Sequence, residues 1–220
     1  MTLPRLHLVT DDAVLARPGF AAQASRLIDR ARGPVALHVR GHGTSARDLF
    51  HITASLVDAA RTHDTLVLVN DRIDVACCAD AHGVQLGRRS VAVRQARSLV
   101  GDRLIGFSAH DAAGSAMAAR DGADFLLIGT VFASGSHGGA PPGGVALIDG
   151  TLGAVRIPVI AIGGITPGTV GDVAARGAHG VAVLGGIWNA TEPEPALLYY
   201  MDAVNAAAWH AVEPVAAHTC

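Results

Sequence analysis

Two pairs of adjacent glycines lie about one strand–helix unit apart in the last third of the chain. The apolar run 157–162 leads into Gly163-Gly164, and the run 180–184 leads into Gly185-Gly186. Because glycine has no Cβ, the backbone N–H groups of such turns can approach a bound anion closely. In barrels of alternating strands and helices, the loops after strands 7 and 8 often build a phosphate site. One pair alone could make only a tight turn, but both at this spacing predict phosphate binding.

Polar side chains follow most of the other apolar runs, at the same end of each. Taken singly, each has another explanation, such as an internal salt bridge for Arg40 or a helix cap for Asn70-Asp71. In a parallel barrel, however, the carboxyl ends of all strands meet at one mouth. An arginine, a glycine-built anion site and a histidine are the groups needed for proton transfer on a phosphorylated ring. The polar set is Thr10, Asp11, Arg40, His42, Asn70, Asp71, Gln85, Ser90, Ser108, His110 and Thr130.

The elements that must position these residues alternate along the whole chain. Alanine-rich stretches carry helix-start signals, namely Thr44 or Ser45, Asp111 before 112–120, and Thr166-Pro167. The alternation predicts an α/β fold, a (β/α)₈ TIM barrel forming one domain over residues 1–220 with its core at about 6–205. Short apolar runs typical of buried parallel strands occupy 6–9, 35–40, 65–69, 83–86, 104–107, 124–128, 157–162 and 180–184.

The composition argues against several classes of protein. Of 220 residues, 50% are hydrophobic and 16% charged, and the formal net charge is −2. No basic block predicts nucleic-acid binding, no apolar run is long enough to span a membrane, and no secretory signal is evident. Three cysteines, two of them adjacent, favour a reducing cytoplasm over a disulfide framework. The 11 histidines show no metal-binding spacing.

Two segments fall outside the strand–helix alternation. Residues 133–144 are rich in Gly, Ser and Pro, follow the sixth strand at the predicted mouth, and include Ser134, Ser136 and His137. That position favours a lid over the site, with a plain connector as the alternative. The end of the chain is small, apolar and uncapped, so we expect residues 207–220 to fray.

The motifs resemble one superfamily in their order along the chain. They are similar to those of thiamine phosphate synthases and their TenI-type relatives over about residues 6 to 205. The resemblance implies a TIM barrel, a role in thiamine biosynthesis, and a homo-oligomeric state. The motifs that carry it are VNDR at 69–72, GVQLG at 83–87, GFSAH at 106–110, DGAD at 121–124, IAIGGI at 160–165 and GAHGVAV at 177–183.

The synthase branch joins a pyrimidine pyrophosphate to a thiazole phosphate. Resemblance to it implies two acidic Mg²⁺ ligands and a lysine in the loop after strand 6. Asp71 matches the first acidic position, whereas Ser90 occupies the second, with Arg88 and Arg89 beside it. A hydroxyl next to two cations is a poor replacement for a hard-cation ligand. The segment 134–137 also has no lysine.

TenI-type proteins resemble this chain at the positions where it differs from the synthase pattern, including the serine at the second acidic position. Its characterised activity is thiazole tautomerisation, a proton shift without a metal or redox cofactor. By this resemblance His110 moves the proton, Arg40 pairs with the thiazole carboxylate, and Ser108 positions the ring. The main hypothesis is therefore an isomerase acting on a small phosphorylated thiazole. The other predicted substrate-binding residues are Asn70, Gln85, Thr130, His137, Gly163, Gly164, Gly185 and Gly186.

Two alternatives follow from the same residues. The retained Asp71 favours a thiamine phosphate synthase with atypical ligands, which would need Mg²⁺ held in part by Asp71. A non-catalytic binder of thiamine phosphates, or a regulator, would need the glycine pairs and Arg40 but not His110. Sugar-phosphate isomerases are a weaker alternative, because they do not account for the motifs at 69–72 and 106–110.

Overall fold

A closed barrel of eight parallel strands forms the centre of the molecule. The structure, a computed structural model, describes residues 2–134 and 142–210. β1 pairs with β8, which closes the sheet, and each strand otherwise pairs with its neighbour in sequence. The predicted (β/α)₈ barrel is therefore confirmed. The strands are β1 Leu6–Val9, β2 Val35–Val39, β3 Thr65–Asn70, β4 Gly83–Leu86, β5 Leu104–Ala109, β6 Phe125–Ile128, β7 Val159–Ile162 and β8 Gly180–Val183.

Helices surround the barrel and cover its outer face. A 3₁₀ turn, Pro167–Thr169, precedes α8, so the predicted opening at Thr166-Pro167 is confirmed. No helix within the described ranges is long and apolar enough to cross a membrane. The α-helices are α1 Asp12–Leu15, α2 Phe20–Arg30, α3 Ala46–Ala60, α4 Ile73–Cys78, α5 Val93–Val100, α6 Ala112–Arg120, α7 Ala146–Leu152, α8 Val170–Ala175, α9 Gly185–Trp188 and α10 Pro193–Ala206.

Two hydrophobic layers follow from the alternation of side chains along each strand. Outward-facing residues such as Leu37 and Val67 pack against the helices in the larger layer. Inward-facing residues fill the barrel in the smaller layer, which includes Val9, Leu68 and Phe125. Side chains two residues further along the inner face reach the mouth, so the alternation determines which polar groups enter the site.

Strand bounds differ from the sequence prediction where polar residues extend a strand. Asn70 is the last residue of β3, where it pairs in register with Gln85, and Ser108 lies inside β5. Both had been expected to follow their strands. Ladder hydrogen bonds continue through these polar residues because the neighbouring strand offers partners there. Asn70 and Ser108 are therefore held by the sheet itself rather than by loops. The frayed tail was predicted from residue 207, and residues 211–220 lie outside the described part of the chain.

The predicted cap of α6 gives a first testable expectation. The Asp111 side chain accepts a hydrogen bond from the Gly114 backbone N–H at 2.7 Å. Replacing Asp111 with Ala should lower the free energy of unfolding by about 1 kcal/mol, because one helix-end donor loses its partner. Urea denaturation measures this, and Asp111→Asn, which keeps the acceptor, is the control. Equal losses in both variants would show that the cap is not the cause.

Candidate functional site

One cavity of about 1300 Å³ opens at the carboxyl ends of the strands. It exceeds the ~300–1,000 Å³ that is usual for one small ligand. His137 lies outside the described residues. The other predicted site residues all line this cavity, and they are Arg40, Asn70, Asp71, Gln85, Ser108, His110, Thr130, Gly163, Gly164, Gly185 and Gly186.

The turn after β7 needs glycine at both positions. Gly163 and Gly164 have φ of 99° and 63°, a region that L side chains rarely adopt. A Cβ on Gly163 would lie 2.5 Å from Cγ2 of Thr130, and one on Gly164 would lie 2.4 Å from the Ala133 carbonyl oxygen. Tight packing against the loop after β6 thus requires these glycines whether or not a ligand binds. The same absence of side chains leaves their backbone open to the cavity.

The second glycine pair begins α9, directly after β8. A Cβ on Gly186 would lie 2.1 Å from the Tyr200 hydroxyl, whereas one on Gly185 would meet only Asn189 Nδ2, at 3.3 Å. The Tyr200 hydroxyl donates to the Ile165 carbonyl at 2.8 Å, which ties α10 to the segment after β7. Both glycine pairs are therefore supported by the same helix.

Both ends of the loop after β6 are held by backbone hydrogen bonds. Val131 N–H donates to the Ile162 carbonyl at 3.0 Å, extending the β6–β7 ladder beyond the strands. On the returning side, Gly143 N–H donates to the Thr130 carbonyl at 2.9 Å and Gly144 N–H to the Val131 carbonyl at 3.0 Å. The base of the predicted lid is therefore defined, while residues 135–141 lie outside the described part of the chain.

A side-chain hydrogen bond joins β4 and β5 at the floor of the cavity. Gln85, which is buried, donates from Nε2 to the Ser108 hydroxyl at 2.9 Å. Gly106 makes the space for this contact, because a Cβ there would lie 2.0 Å from Gln85 Oε1 and 2.3 Å from the Phe125 ring. Gln85 Oε1 is buried without a partner.

Asp71 occupies a strained backbone conformation just after β3. Its φ is 62°, and its N–H donates to the Gln85 carbonyl at 3.0 Å. The Ser90 hydroxyl donates to Asp71 Oδ1, and Ser90 Oγ also accepts the Gly87 N–H at 2.7 Å. His42 Nδ1 lies 3.7 Å from Asp71 Oδ2. One carboxylate oxygen of Asp71 is thus hydrogen-bonded within the protein, and the other lies near His42.

Three arginines form what we call the arginine side of the mouth: Arg40 after β2, and Arg88 and Arg89 in the turn after β4. No carboxylate among the described residues pairs with any of the three, whereas Arg72, Arg97 and others form salt bridges elsewhere. The chain contains no lysine at all, so each of its 17 Lys-or-Arg positions is an arginine. Guanidinium groups stay protonated at any physiological pH and bind phosphate in a bidentate manner.

The donor set around Asp71 does not fit a site for Mg²⁺, the ion that the synthase resemblance implies. Mg²⁺ is usually bound in an octahedral arrangement by one or two carboxylates together with substrate phosphates and waters. Of the described residues that line the cavity, only Asp71 supplies a carboxylate, its Oδ1 already accepts from Ser90, and the arginine side repels a dication. Among the described residues no group of three or more His, Cys, Asp or Glu side chains could hold a metal.

His110, the predicted proton carrier, is exposed at the rim of the cavity. Its ring Nδ1 lies 3.0 Å from the Gly129 carbonyl oxygen. Because a carbonyl only accepts, Nδ1 carries the hydrogen and Nε2 is the free acceptor when the ring is neutral. The geometry would allow Nε2 to take a proton, but it does not by itself assign that role.

A buried histidine chain runs inside the barrel beneath the site, which the sequence analysis missed. His7 Nε2 lies 3.0 Å from the Pro4 carbonyl, so Nε2 donates, and His7 Nδ1 then accepts from His38 Nε2 at 2.8 Å. Both rings are fully buried, and His7 packs against Phe125 with ring centroids 5.6 Å apart. His38 Nδ1 is left as an acceptor that faces the Asn70 amide. We infer that the Asn70 NH₂ group points to it, because His38 Nδ1 and Asn70 Oδ1 otherwise stay unpaired.

Burial keeps both histidines neutral. Desolvation by burial lowers the pKa of His38 to about 3. Desolvation, followed by the neighbouring His38, holds the pKa of His7 well below its ordinary value of 6.5. The His7–His38 pair is therefore uncharged and supports Asn70 from beneath.

Further residues line the cavity that the sequence did not mark as site residues, namely Thr166, Asn189 and Tyr200. Asn189 follows α9, and its Oδ1 accepts a hydrogen bond from Arg17 at 2.6 Å. The two residues are far apart in sequence and meet only because β8 and β1 are adjacent in the closed barrel. Neither residue belongs to a local motif, so the sequence offers no signal for this contact.

Comparison with known proteins gives consistent results. A family model described as thiamine monophosphate synthase matches residues 6–187. Thiamine-phosphate synthase from Methanoculleus marisnigri is 38% identical over 184 residues, covering 83% of this chain and 86% of that protein. Thiamine-phosphate synthase from Salinispora tropica is 34% identical over 206 residues, covering 93% and 99%. The solved structure of thiamine phosphate pyrophosphorylase from Pyrococcus furiosus superimposes with a TM-score of 0.80 at 27% identity, covering 91% of this chain and 95% of that one.

Proposed function

The chain belongs to the thiamine monophosphate synthase family, and from that premise we propose that it is a thiamine phosphate synthase. In this reaction the exocyclic methylene carbon of a pyrimidine diphosphate bonds to the ring nitrogen of a thiazole phosphate. The carbon–oxygen bond to the diphosphate breaks, and inorganic pyrophosphate leaves with that bond's electron pair. Both substrates are small phosphorylated molecules.

One observation carries this proposal: the cavity has groups suited to anions on two opposite sides. The glycine turns follow β7 and β8, whereas the arginine side follows β2 and β4, and β4 lies across the barrel from β8. A coupling reaction brings two phosphorylated substrates together and needs both sides. Proton transfer on a thiazole carboxylate phosphate needs one phosphate site and one partner for the carboxylate, which Arg40 alone would supply without Arg88 and Arg89.

The proposed roles follow from this division. The backbone of Gly163, Gly164, Gly185 and Gly186 receives the thiazole phosphate. The arginine side receives the diphosphate and stabilises the charge that develops as pyrophosphate leaves. The polar residues between them orient the two rings for in-line attack, and these are Asn70, Gln85, Ser108 and Thr130.

The predicted thiazole tautomerase activity is not supported, and we correct it here. The relatives that match over most of the chain carry the name thiamine-phosphate synthase, at 34% and 38% identity. The loss of the second acidic residue, which led to the tautomerase hypothesis, changes how one substrate is held and does not remove its site. His110 then has no required proton to move, and we assign it to the rim of the substrate cavity.

A paired assay of the purified protein tests the proposed function. One reaction contains the pyrimidine diphosphate and the thiazole phosphate, each with and without Mg²⁺, and the other contains the exocyclic thiazole carboxylate phosphate. We expect thiamine phosphate in the first and no isomerisation in the second. Isomerisation alone would restore the tautomerase hypothesis, and turnover in neither, with ligands still bound, would indicate a binder or regulator.

Arg40 gives a second expectation for the same assay. Arg40→Ala should lower kcat/KM for coupling about 100-fold, because a charge-assisted bidentate contact to a phosphorylated substrate is lost. Arg120→Ala is the matched control, since Arg120 is exposed at the end of α6, away from the mouth. Activity of Arg40→Ala within a few-fold of the control would remove Arg40 from the site.

A further inference from the structure

The turn after β4 presents two cations where relatives of the synthase branch are expected to place an acidic metal ligand. Ser90 N–H donates to the Gly87 carbonyl at 3.0 Å, and Gly87 N–H donates back to the Ser90 hydroxyl at 2.7 Å. These bonds close a tight turn whose tip carries Arg88 and Arg89. Both side chains are exposed and line the cavity.

We propose that Arg88 and Arg89 take the place of a divalent cation, so that this protein binds a diphosphate group without Mg²⁺. The identity of the diphosphate as a substrate group rests on the proposed function, whereas the binding itself does not.

The state of Asp71 supports the proposal. Ser90 donates its hydroxyl to one carboxylate oxygen, and His42 faces the other. Asp71 is therefore tied through Ser90 to the turn after β4, while its other oxygen lies 3.7 Å from His42, beyond hydrogen-bond distance. The same serine that removes a metal ligand also fixes the turn that carries the two arginines.

The unpaired charges on the arginine side support it as well. Several surface arginines of this chain have a carboxylate partner, for example Arg94 with Asp121 at 3.3 Å. Arg88 and Arg89 have none among the described residues, although they lie on a concave surface where like charges repel. An anionic ligand with several charges would relieve that repulsion. Because guanidinium groups do not deprotonate in proteins, the site keeps its charge at alkaline pH.

Binding of inorganic pyrophosphate to the whole protein, measured by calorimetry, tests the proposal directly. We expect the Kd in EDTA to be no more than about 3-fold weaker than with Mg²⁺, and Arg88→Ala/Arg89→Ala to weaken it in EDTA by at least about 10-fold. Arg94→Ala is the matched control, because Arg94 is an exposed arginine on the adjacent helix α5. Binding that requires Mg²⁺, or that survives the double substitution, would overturn the proposal.

A reverse substitution tests the same idea without relying on loss of function. Ser90→Asp places a second carboxylate beside Asp71 and should create a hard-cation site. The melting temperature of this variant should then rise with Mg²⁺, while that of the wild type and of Ser90→Asn should not. An equal rise in the wild type would show that it already binds the ion, and the proposal would fail.

The outcomes separate this proposal from the proposed function. Protein that binds pyrophosphate in EDTA but makes no thiamine phosphate would contradict the function and keep the cation-free site. Protein that makes thiamine phosphate only with Mg²⁺ would keep the function and contradict the cation-free site.

Discussion

Gly164→Ala is expected to lower the free energy of unfolding by about 2–4 kcal/mol and to abolish phosphate binding at the turn after β7. The new Cβ would lie 2.4 Å from the Ala133 carbonyl oxygen and 2.7 Å from backbone atoms of Phe132. Backbone atoms held by ladder hydrogen bonds cannot rotate away as a side chain would. The φ of 63° adds strain for any residue with a Cβ. The turn must therefore open, and its N–H groups lose their common direction.

Urea denaturation and calorimetry with inorganic phosphate measure the two effects of this substitution. Gly171→Ala is the control, because a Cβ at Gly171 in α8 meets nothing within 4 Å. That variant should keep phosphate affinity and be unchanged or up to about 1 kcal/mol more stable, since alanine favours helix. If Gly164→Ala bound phosphate as well as Gly171→Ala, the turn would not be the anion site.

Acidification is the condition expected to destabilise the fold most strongly. Below the ordinary histidine pKa of 6.5, the unfolded chain binds a proton at each of His7 and His38. The folded barrel does not protonate His38 until about pH 3. The unfolded state therefore holds more protons in this window, so stability rises with pH and is lost as the pH falls from 6.5. Each histidine contributes up to about 1.4 kcal/mol per pH unit.

The midpoints of urea denaturation, measured at several pH values between 4.5 and 7.5, test this dependence of stability on pH. His7→Leu/His38→Leu should show a clearly shallower loss of stability on acidification, because the two fully buried imidazoles are gone, whereas the partly buried His82 and His179, whose pKa values burial also lowers, remain. His51→Gln/His210→Gln is the control, since both of those histidines are exposed. Equal slopes in the wild type and the Leu double variant would mean that other groups govern the acid sensitivity.

Most of the fold and the location of the cavity that holds the candidate site follow from the sequence alone. Strand-length apolar runs and glycine turns are local signals, so the eight strands, their order and the mouth were all predictable. The ends of the strands were harder to predict than their order. β7 begins at Val159, two residues after the predicted start, because Pro158 contributes a carbonyl but no N–H to the ladder. Asn70 and Ser108 were assigned to loops because polar residues rarely continue a buried strand.

The contacts within the site were not predictable in the same way. The Asp71–Ser90 hydrogen bond joins two loops, and the sequence alone indicated only that Ser90 replaces an acid. The consequence, that the serine occupies the remaining carboxylate, depends on the left-handed backbone at Asp71. His7 and His38 did leave a signal: each is a polar residue on the inward-facing register of an otherwise apolar strand.

The backbone hydrogen bonds at the base of the loop after β6 define two fixed points between which the loop could be exchanged. On one side Val131 N–H donates to the Ile162 carbonyl of β7, and on the other Gly143 and Gly144 donate to the carbonyls of Thr130 and Val131. A loop from another family member could be grafted between these two fixed points without disturbing the barrel, since doubling a loop's length costs only about 0.6 kcal/mol in closure entropy. Substrate preference at this mouth can therefore diverge by replacement of one segment while the strands beneath it stay the same.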